Sequence, residues 1–436
     1  MTSTLILTLF FSAQSCISPT TPPNSKSLSL TVADVSCTEA WLNLTTNNIS
    51  LPANILIKKN GDNFLNITFA GNDTTLYDST LSPNKTYTYQ AEYSGGFNLS
   101  TSEAVTAKTM DTTSNNFTWQ LYTLGNAVGT SSMLDDVAIV NDTLAYAVGA
   151  IYLKDSTGQI DPNAYNLVKW DGHSWQLLRI QFYSFCGQQS TGSYPAKAVL
   201  TVSDTEIWVA SNNSQIAIWN GTKQKGVMCL PVSVNKMWAA NRNAVYTVGS
   251  LGQIGYYQNG VWQRIESGTT TDLRDIWGST DGKTVWACGY SNDYSQSCIL
   301  KYDGNIWSTL WEKQSNQTPP YGFLVSTLWA GSKYLYVGAA DGIYRNALIG
   351  NGSTHKVLSL PSGPHRIRGI AENNIVVACD DESIWYFNGA SWFKETQSTL
   401  LKPLYSIAVS TNTIVAVGFD ATTINTKGII LVGRRN

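Results

Sequence analysis

The 436-residue sequence predicts an all-β chain, a small β-sandwich over residues 28–110 followed by a seven-bladed β-propeller over 111–436. Three observations predict it. The composition is strand-like, residues 28–110 are cut into short alternating segments, and one strand motif recurs through the remainder. With 15 Trp, 22 Tyr and 34 Gly, the chain is rich in aromatic strand formers and turn residues. Charged residues make up only 13% and the formal net charge is -2, which removes the basic surface that phosphate-backbone binding requires. Nucleic acid is therefore excluded as an expected partner.

Residues 5–13, LILTLFFSA, form an apolar run too short to span a bilayer, followed by Gln14, Ser15 and Cys16. This predicts a signal peptide over 1–15. A flexible linker over 16–27 follows, because ISPTTPPNSKS cannot bury a core. The arrangement resembles that of bacterial lipoproteins, which implies lipidation of Cys16 and membrane attachment through that lipid alone. Ala13 stands where that motif usually carries Leu or Val, and no Lys or Arg precedes the apolar run. Ordinary cleavage after Ser15 stays open as the alternative.

Residues 28–110 contain about seven short alternating segments separated by Asn, Gly, Ser and Pro turns, the spacing of a β-sandwich. Trp41, in AWLNLTT, is expected to fill the space between the two sheets. Leu81-Ser82-Pro83 followed by Tyr87, in LSPNKTYTYQAEY, resembles the leucine–proline–tyrosine corner of fibronectin type III domains. That resemblance implies that the Tyr87 hydroxyl ties back to the preceding loop, and that Trp41 and Tyr87 are structural.

From about residue 115 the chain is repetitive. A strand ending in a small residue recurs as LAYAVG at Gly149, EIWVAS at Ser211, AVYTVG at Gly249 and TVWACG at Gly289. It returns as YLYVG at Gly338, NIVVAC at Cys379 and TIVAVG at Gly418. The spacing of about 40 residues is that of four-stranded propeller blades, with insertions in the first and fourth. An apolar strand precedes each anchor and is expected to be innermost. Turns of the type KWDGHSW (169–175) and KYDGNIW (301–307) follow, whose Asp-Gly or Asn-Gly adopts tight-hairpin geometry and joins the third strand to the fourth. The fifth repeat departs from this with a longer, Trp-free turn, YRNALIGNG (344–352).

No outer strand follows the last repeat. Phe117-Thr118-Trp119-Gln120-Leu121, before the first repeat, reads like Ser174-Trp175-Gln176-Leu177. It is expected to supply the missing fourth strand and to close the ring, leaving no open edge.

Export permits disulfides. Cys288 and Cys298 lie on either side of YSNDYSQS, where a hairpin would set them opposite each other, and Cys186 with Cys229 is the other candidate pair. Cys37 and Cys379 are expected to be small core residues.

The chemistry-bearing residues argue against catalysis. Three His residues, His173, His355 and His365, are scattered among different loops, so neither a metal cluster nor a Ser–His–Asp assembly is expected. Near the inner strands only Arg274 and Arg368 are available, too few for the arginine cluster of a sialidase, and STDGKTVW (279–286) matches its turn motif only loosely. No phosphate-cradling glycine loop occurs. DSTGQID (155–161) alternates oxygen-bearing residues without the acidic density of a calcium loop and reads as a polar insertion. No metal or cofactor is expected.

Trp238, Trp277 and Trp329 hold equivalent inner-strand positions in three consecutive repeats. They either pack blade against blade or line one face of the ring, where aromatic rings stack on sugars or anchor peptides. Asp136, Lys236, Asp275 and Arg368 would join them around the mouth of the central channel. The DIWG…VWACG…LKYDGNIW cycle is similar to that of propeller lipoproteins from the Bacteroidetes and Ignavibacteria, in which a fibronectin-type module often precedes the propeller. The resemblance spans nearly the whole chain and brings no activity with it. The expected protein is a monomeric, exported binding or scaffold protein at the outer membrane, cell surface or periplasm, whose propeller face recognises a glycan or a protein. A structural subunit of the envelope and a carbohydrate-active enzyme are the alternatives.

Overall fold

A computed structural model describes residues 27–95, 98–125, 129–313, 321–348, 354–396 and 402–436. The signal segment and Cys16 lie outside the described residues. The chain is all-β, without an α-helix among the described residues, and divides into two compact units, Met1–Met110 and Asp111–Asn436.

In the first unit, the strands Ser27–Val35, Ala40–Asn47 and Asp73–Asp78 form one antiparallel sheet. A second sheet runs in the order Asp62–Phe69, Ala53–Lys59, Thr86–Gly95 and Asn98–Thr101, with Val105–Lys108 also paired to Thr86–Gly95. Alternation sends Leu42, Leu44, Ile55, Ile57, Tyr89 and Ala91 into a common core. The same alternation corrects the expectation for Trp41. Its neighbours Ala40 and Leu42 face the core, so Trp41 points the other way, with its ring 5.5 Å from that of Tyr77. The Tyr87 hydroxyl accepts a 2.9 Å hydrogen bond from the Ser82 N–H, tying the strand to the loop before it.

Among the described residues, the second unit contains seven four-stranded antiparallel sheets, a propeller-like arrangement. Six are built from contiguous chain. Their first strands are Met133–Asn141, Ala196–Ser203, Lys236–Asn241, Leu273–Gly278, Val325–Ala330 and Pro364–Ala371. The seventh comprises Leu404–Val409, Thr413–Asp420 and Lys427–Arg435, and its fourth strand is Phe117–Leu124 from the other end of the unit. Each first strand packs beside that of the next sheet, and the seventh packs beside the first, so the cycle closes. In the fifth sheet the outer strand is His355–Ser359.

Between neighbouring sheets, Trp238 lies on Gly278 and Trp329 on Gly369, where an added Cβ would come within 2.8 Å of the Trp329 ring. A bare α-carbon is what lets a flat indole enter there. Close approach also explains the glycine that ends so many repeats: at Gly289 and Gly418 a Cβ would collide with the backbone of Asp272 and Pro403, where the chain enters the first strand.

The disulfide joins Cys186 to Cys229, with Cα atoms 5.9 Å apart, and links the hairpin Phe182–Tyr183/Thr191–Gly192 to the outer strand of the second sheet. The pairing of Cys288 with Cys298 is corrected. Cys288 lies opposite Ile299 and Cys298 opposite Gly289, so the two thiols point to opposite faces of the sheet. Cys288 packs against Val325 and Leu328 of the fifth sheet, and Cys298 belongs to a core shared with Trp238 and Tyr246 of the third. Both are buried free thiols, as is Cys379, and Cys37 is buried as well.

Candidate functional site

The first strands carry a buried polar network around the axis of the ring. Asp136 accepts hydrogen bonds from the Lys236 ammonium, from Ser406 Oγ (2.7 Å) and from the Val199 N–H (2.9 Å). These donors come from the third, seventh and second sheets. Asp275 accepts from Arg366 Nη1 at 2.6 Å, Arg368 Nη2 at 2.7 Å, Thr327 Oγ1 at 2.5 Å and the Leu328 N–H at 3.1 Å. Thr327 Oγ1 in turn accepts from the Ile367 N–H at 3.0 Å. Burial opposes ionisation of Asp275, but the guanidinium groups of Arg366 and Arg368 and the hydrogen bonds hold its carboxyl well below the usual carboxylate range. Burial pulls the Lys236 ammonium down to about 8 despite its partner Asp136. Such networks add little net stability, but every member is costly to remove, so they fix which strand sits where.

Above this network lies a pocket of about 350 Å3. Its wall follows from one repeated irregularity. In six of the seven sheets the pairing of first and second strand slips by one residue near the start of the first strand. The extra residues are Asp135, Lys197, Arg274, Ser326, His365 and Tyr405, and all six line the pocket. The third sheet contributes Asn235, immediately before its first strand. A bulge re-aims a side chain that regular alternation would send into the sheet interface. Seven sheets thus deliver seven side chains to one concavity.

These side chains are held in place by partners. Lys197 Nζ pairs with Asp135, whose carboxyl burial pushes upward while Lys197 pulls it back. The His365 ring nitrogen Nε2 lies 2.5 Å from Asp380 Oδ1, and its ring stands edge-on to Tyr405 at 4.8 Å. Burial, reinforced by the charges of Asp135 and Asp380, raises the Tyr405 hydroxyl pKa. The Arg274 guanidinium lies 3.9 Å over the Tyr290 ring and donates to the Tyr290 carbonyl (3.2 Å) and Asn292 Oδ1 (2.7 Å). Asn235 Nδ2 donates to the Leu273 carbonyl at 2.9 Å. The wall offers fixed charges of both signs beside aromatic rings, suited to a polar ligand with some flat or apolar surface.

No family model matches the chain. No curated protein matches it either. Among solved structures, the computationally designed Ika8 protein superposes with a TM-score of 0.42 at 16% identity, covering 70% of this chain and 98% of that one. BBS1N, in its complex with ARL6DN, gives 0.46 at 13%, covering 72% and 95%. Sqt1 of Saccharomyces cerevisiae gives 0.44 at 10%, covering 72% and 100%. These likenesses bear on no residue of the pocket.

The structure divides the residues singled out from sequence into two groups. Asp136, Lys236, Asp275 and Arg368 do come together, but as the buried network beneath the pocket, so they are unavailable to a ligand. Trp238 and Trp329 are wedges between sheets, and Trp277 has the Arg368 guanidinium 4.9 Å from its ring, so these tryptophans serve the inter-sheet packing rather than a ligand face. Asp155 turns its carboxylate onto the N–H groups of Thr157 and Gln159, while Asp161 pairs with Arg179, which leaves DSTGQID an ordinary capped loop. Among the described residues no group of His, Cys, Asp and Glu is arranged to hold a metal.

Asp135, Lys197, Asn235, Ser326 and Tyr405 escape the sequence reading, which places His365 only among three scattered histidines. The available signal was a polar residue at the entry of each apolar inner strand, which in the first, third and fourth sheets stands one position before Asp136, Lys236 and Asp275.

Proposed function

We propose that this chain is an exported, non-catalytic binding protein of the cell envelope, whose second unit is a seven-bladed β-propeller holding a glycan or protein ligand in its central pocket. The single observation that carries this reading is the row of bulges. Regular strands would have buried these side chains between sheets, and six of the seven sheets break pairing to bring them to one place. A fibronectin type III-like sandwich, supported by the bond from the Ser82 N–H to the Tyr87 hydroxyl, acts as a spacer. Attachment through a lipid on Cys16 is supported by the apolar run and linker around it. The Cys186–Cys229 bond fits an oxidising compartment. A binding role is preferred to an enzymatic one because Asp135 and Asp380 are each committed to a basic partner, Lys197 and His365. The chain is proposed to act as a monomer.

Glycan and peptide arrays probed with the full chain test the reading. Binding is expected to be lost in the Lys197→Ala/Tyr405→Ala variant; retention of binding in that variant would refute the pocket as the site. Metabolic labelling with a palmitate analogue tests the anchor, and equal labelling of Cys16→Ala would rule it out.

A further inference from the structure

Among the described residues, one basic side chain of the pocket differs from the rest. Lys197 has Asp135, His365 has Asp380, and Arg366 has Asp275. Among the described residues, Arg274 is held by neutral groups: the Tyr290 ring, the Tyr290 carbonyl and the Asn292 side-chain oxygen. Asp272, two residues away, is turned to the Leu251 N–H at 2.8 Å. Arg274 is therefore oriented before any ligand arrives and keeps donor capacity for a carboxylate.

The loops that carry the pocket residues near Arg274 also bear exposed apolar side chains. Leu251 and Tyr294 sit in the loops after the second strands of the third and fourth sheets, beside the pocket residues Ser250 and Asn292. They are 67% and 56% exposed, and both hold left-handed backbone, with φ of 55° and 59°. That conformation costs a bulky L-residue about 1 kcal/mol or more. Phe323, three residues ahead of Ser326, is 51% exposed, and the Lys313 ammonium lies 3.5 Å from its ring centroid. Two positive charges thus accompany three exposed apolar side chains on this side of the pocket.

We infer that, within the pocket reading above on which this rests, the ligand is a segment of a partner protein that places an acidic side chain on Arg274 and apolar side chains on Leu251, Tyr294 and Phe323. A saccharide stacks on flat aromatic rings and gains little from an exposed leucine, whereas leucine beside aromatics and an unpaired arginine is the composition of a protein-binding surface. Arg274 and Lys313 make the occupant acidic by charge complementarity.

The full chain is panned against a phage-displayed library of random linear peptides and probed in parallel on a glycan array. The selected peptides are expected to share an Asp or Glu flanked by apolar residues. For the best of them, fluorescence polarisation is expected to show about tenfold weaker binding to Arg274→Gln. Replacing the peptide's acid by its amide should cost the same, and combining the two changes should cost no more. Leu251→Asn, in which Asn tolerates the left-handed backbone, should weaken binding several-fold. Peptides without a shared acid, undiminished binding to Arg274→Gln, or no selected peptide while glycans bind would each overturn this inference and leave the pocket reading standing. No binding to either library would overturn both.

Discussion

Trp119 lies with its ring on Gly433, at a spacing where an added Cβ would come within 2.8 Å of the indole. The two residues face each other across the junction of Phe117–Leu124 with Lys427–Arg435, which joins the two ends of the second unit. Trp119→Ala is therefore expected to lower the urea midpoint, by about 3 kcal/mol in stability, and to expose residues 111–125 to protease. An unchanged midpoint would show that the junction contributes little to holding the ring.

Acid should unfold the protein by a route that runs through Asp275. Its folded-state pKa is depressed below the ordinary 3.8, so its stabilising contribution is complete above about pH 4 and is lost as pH falls further. Melting temperature should fall steeply below pH 4. Asp275→Asn leaves Arg366 and Arg368 buried without their partner, which should cost about 3–5 kcal/mol at pH 7 and flatten the slope below pH 4. A variant with the wild-type slope would assign acid lability to other carboxylates.

Reduction should destabilise the second sheet. The Cys186–Cys229 bond closes a loop with a sequence separation of 43, for which chain entropy predicts about 4 kcal/mol. Cys186→Ser and dithiothreitol should lower the melting temperature alike, and dithiothreitol should have no effect on that variant. Additional sensitivity of Cys186→Ser to reductant would mean that another pair is bonded.

Overpacking at the sheet interfaces offers a fourth handle. Gly369→Ala drives a methyl group into the Trp329 ring and should cost about 1–3 kcal/mol. The double variant Gly369→Ala/Trp329→Phe should recover part of that loss. Absence of recovery would place the strain elsewhere.

In the first unit, Tyr87→Phe removes only the hydroxyl that accepts from the Ser82 N–H. A loss of about 1 kcal/mol is expected in urea titration. A neutral substitution would show that water replaces the bond.

The period of the repeats was legible because each sheet needs the same four strands and the same tight turn, so its Gly, Asn-Gly and Trp positions recur. The resemblance of FTWQL to SWQL was enough to identify a strand whose partner lies at the far end of the chain. What pattern could not carry was phase. Alternation tells that successive residues face opposite ways, but one bulge reverses the assignment for everything before it. The sequence reading therefore reached Asp136 and Asp275 while their neighbours Asp135 and Arg274 line the pocket. Cys288 and Cys298 failed for a related reason: a hairpin brings two residues close, but a register offset of one puts them on opposite faces. Trp41 was placed by its size, whereas Ala40 and Leu42 on either side decide its direction.

The closing strand has a consequence for how the protein is made. Six sheets consist of contiguous hairpins and can assemble in order as the chain emerges, but Phe117–Leu124 must wait for Lys427–Arg435 before any of its ladder forms. During synthesis that strand is an unsatisfied template, open to pairing with other chains. A chain cut short before Lys427 would keep that template permanently and present it to proteases and chaperones. The last strand thereby works as a check on completeness, separating finished molecules from fragments by whether the ring can shut.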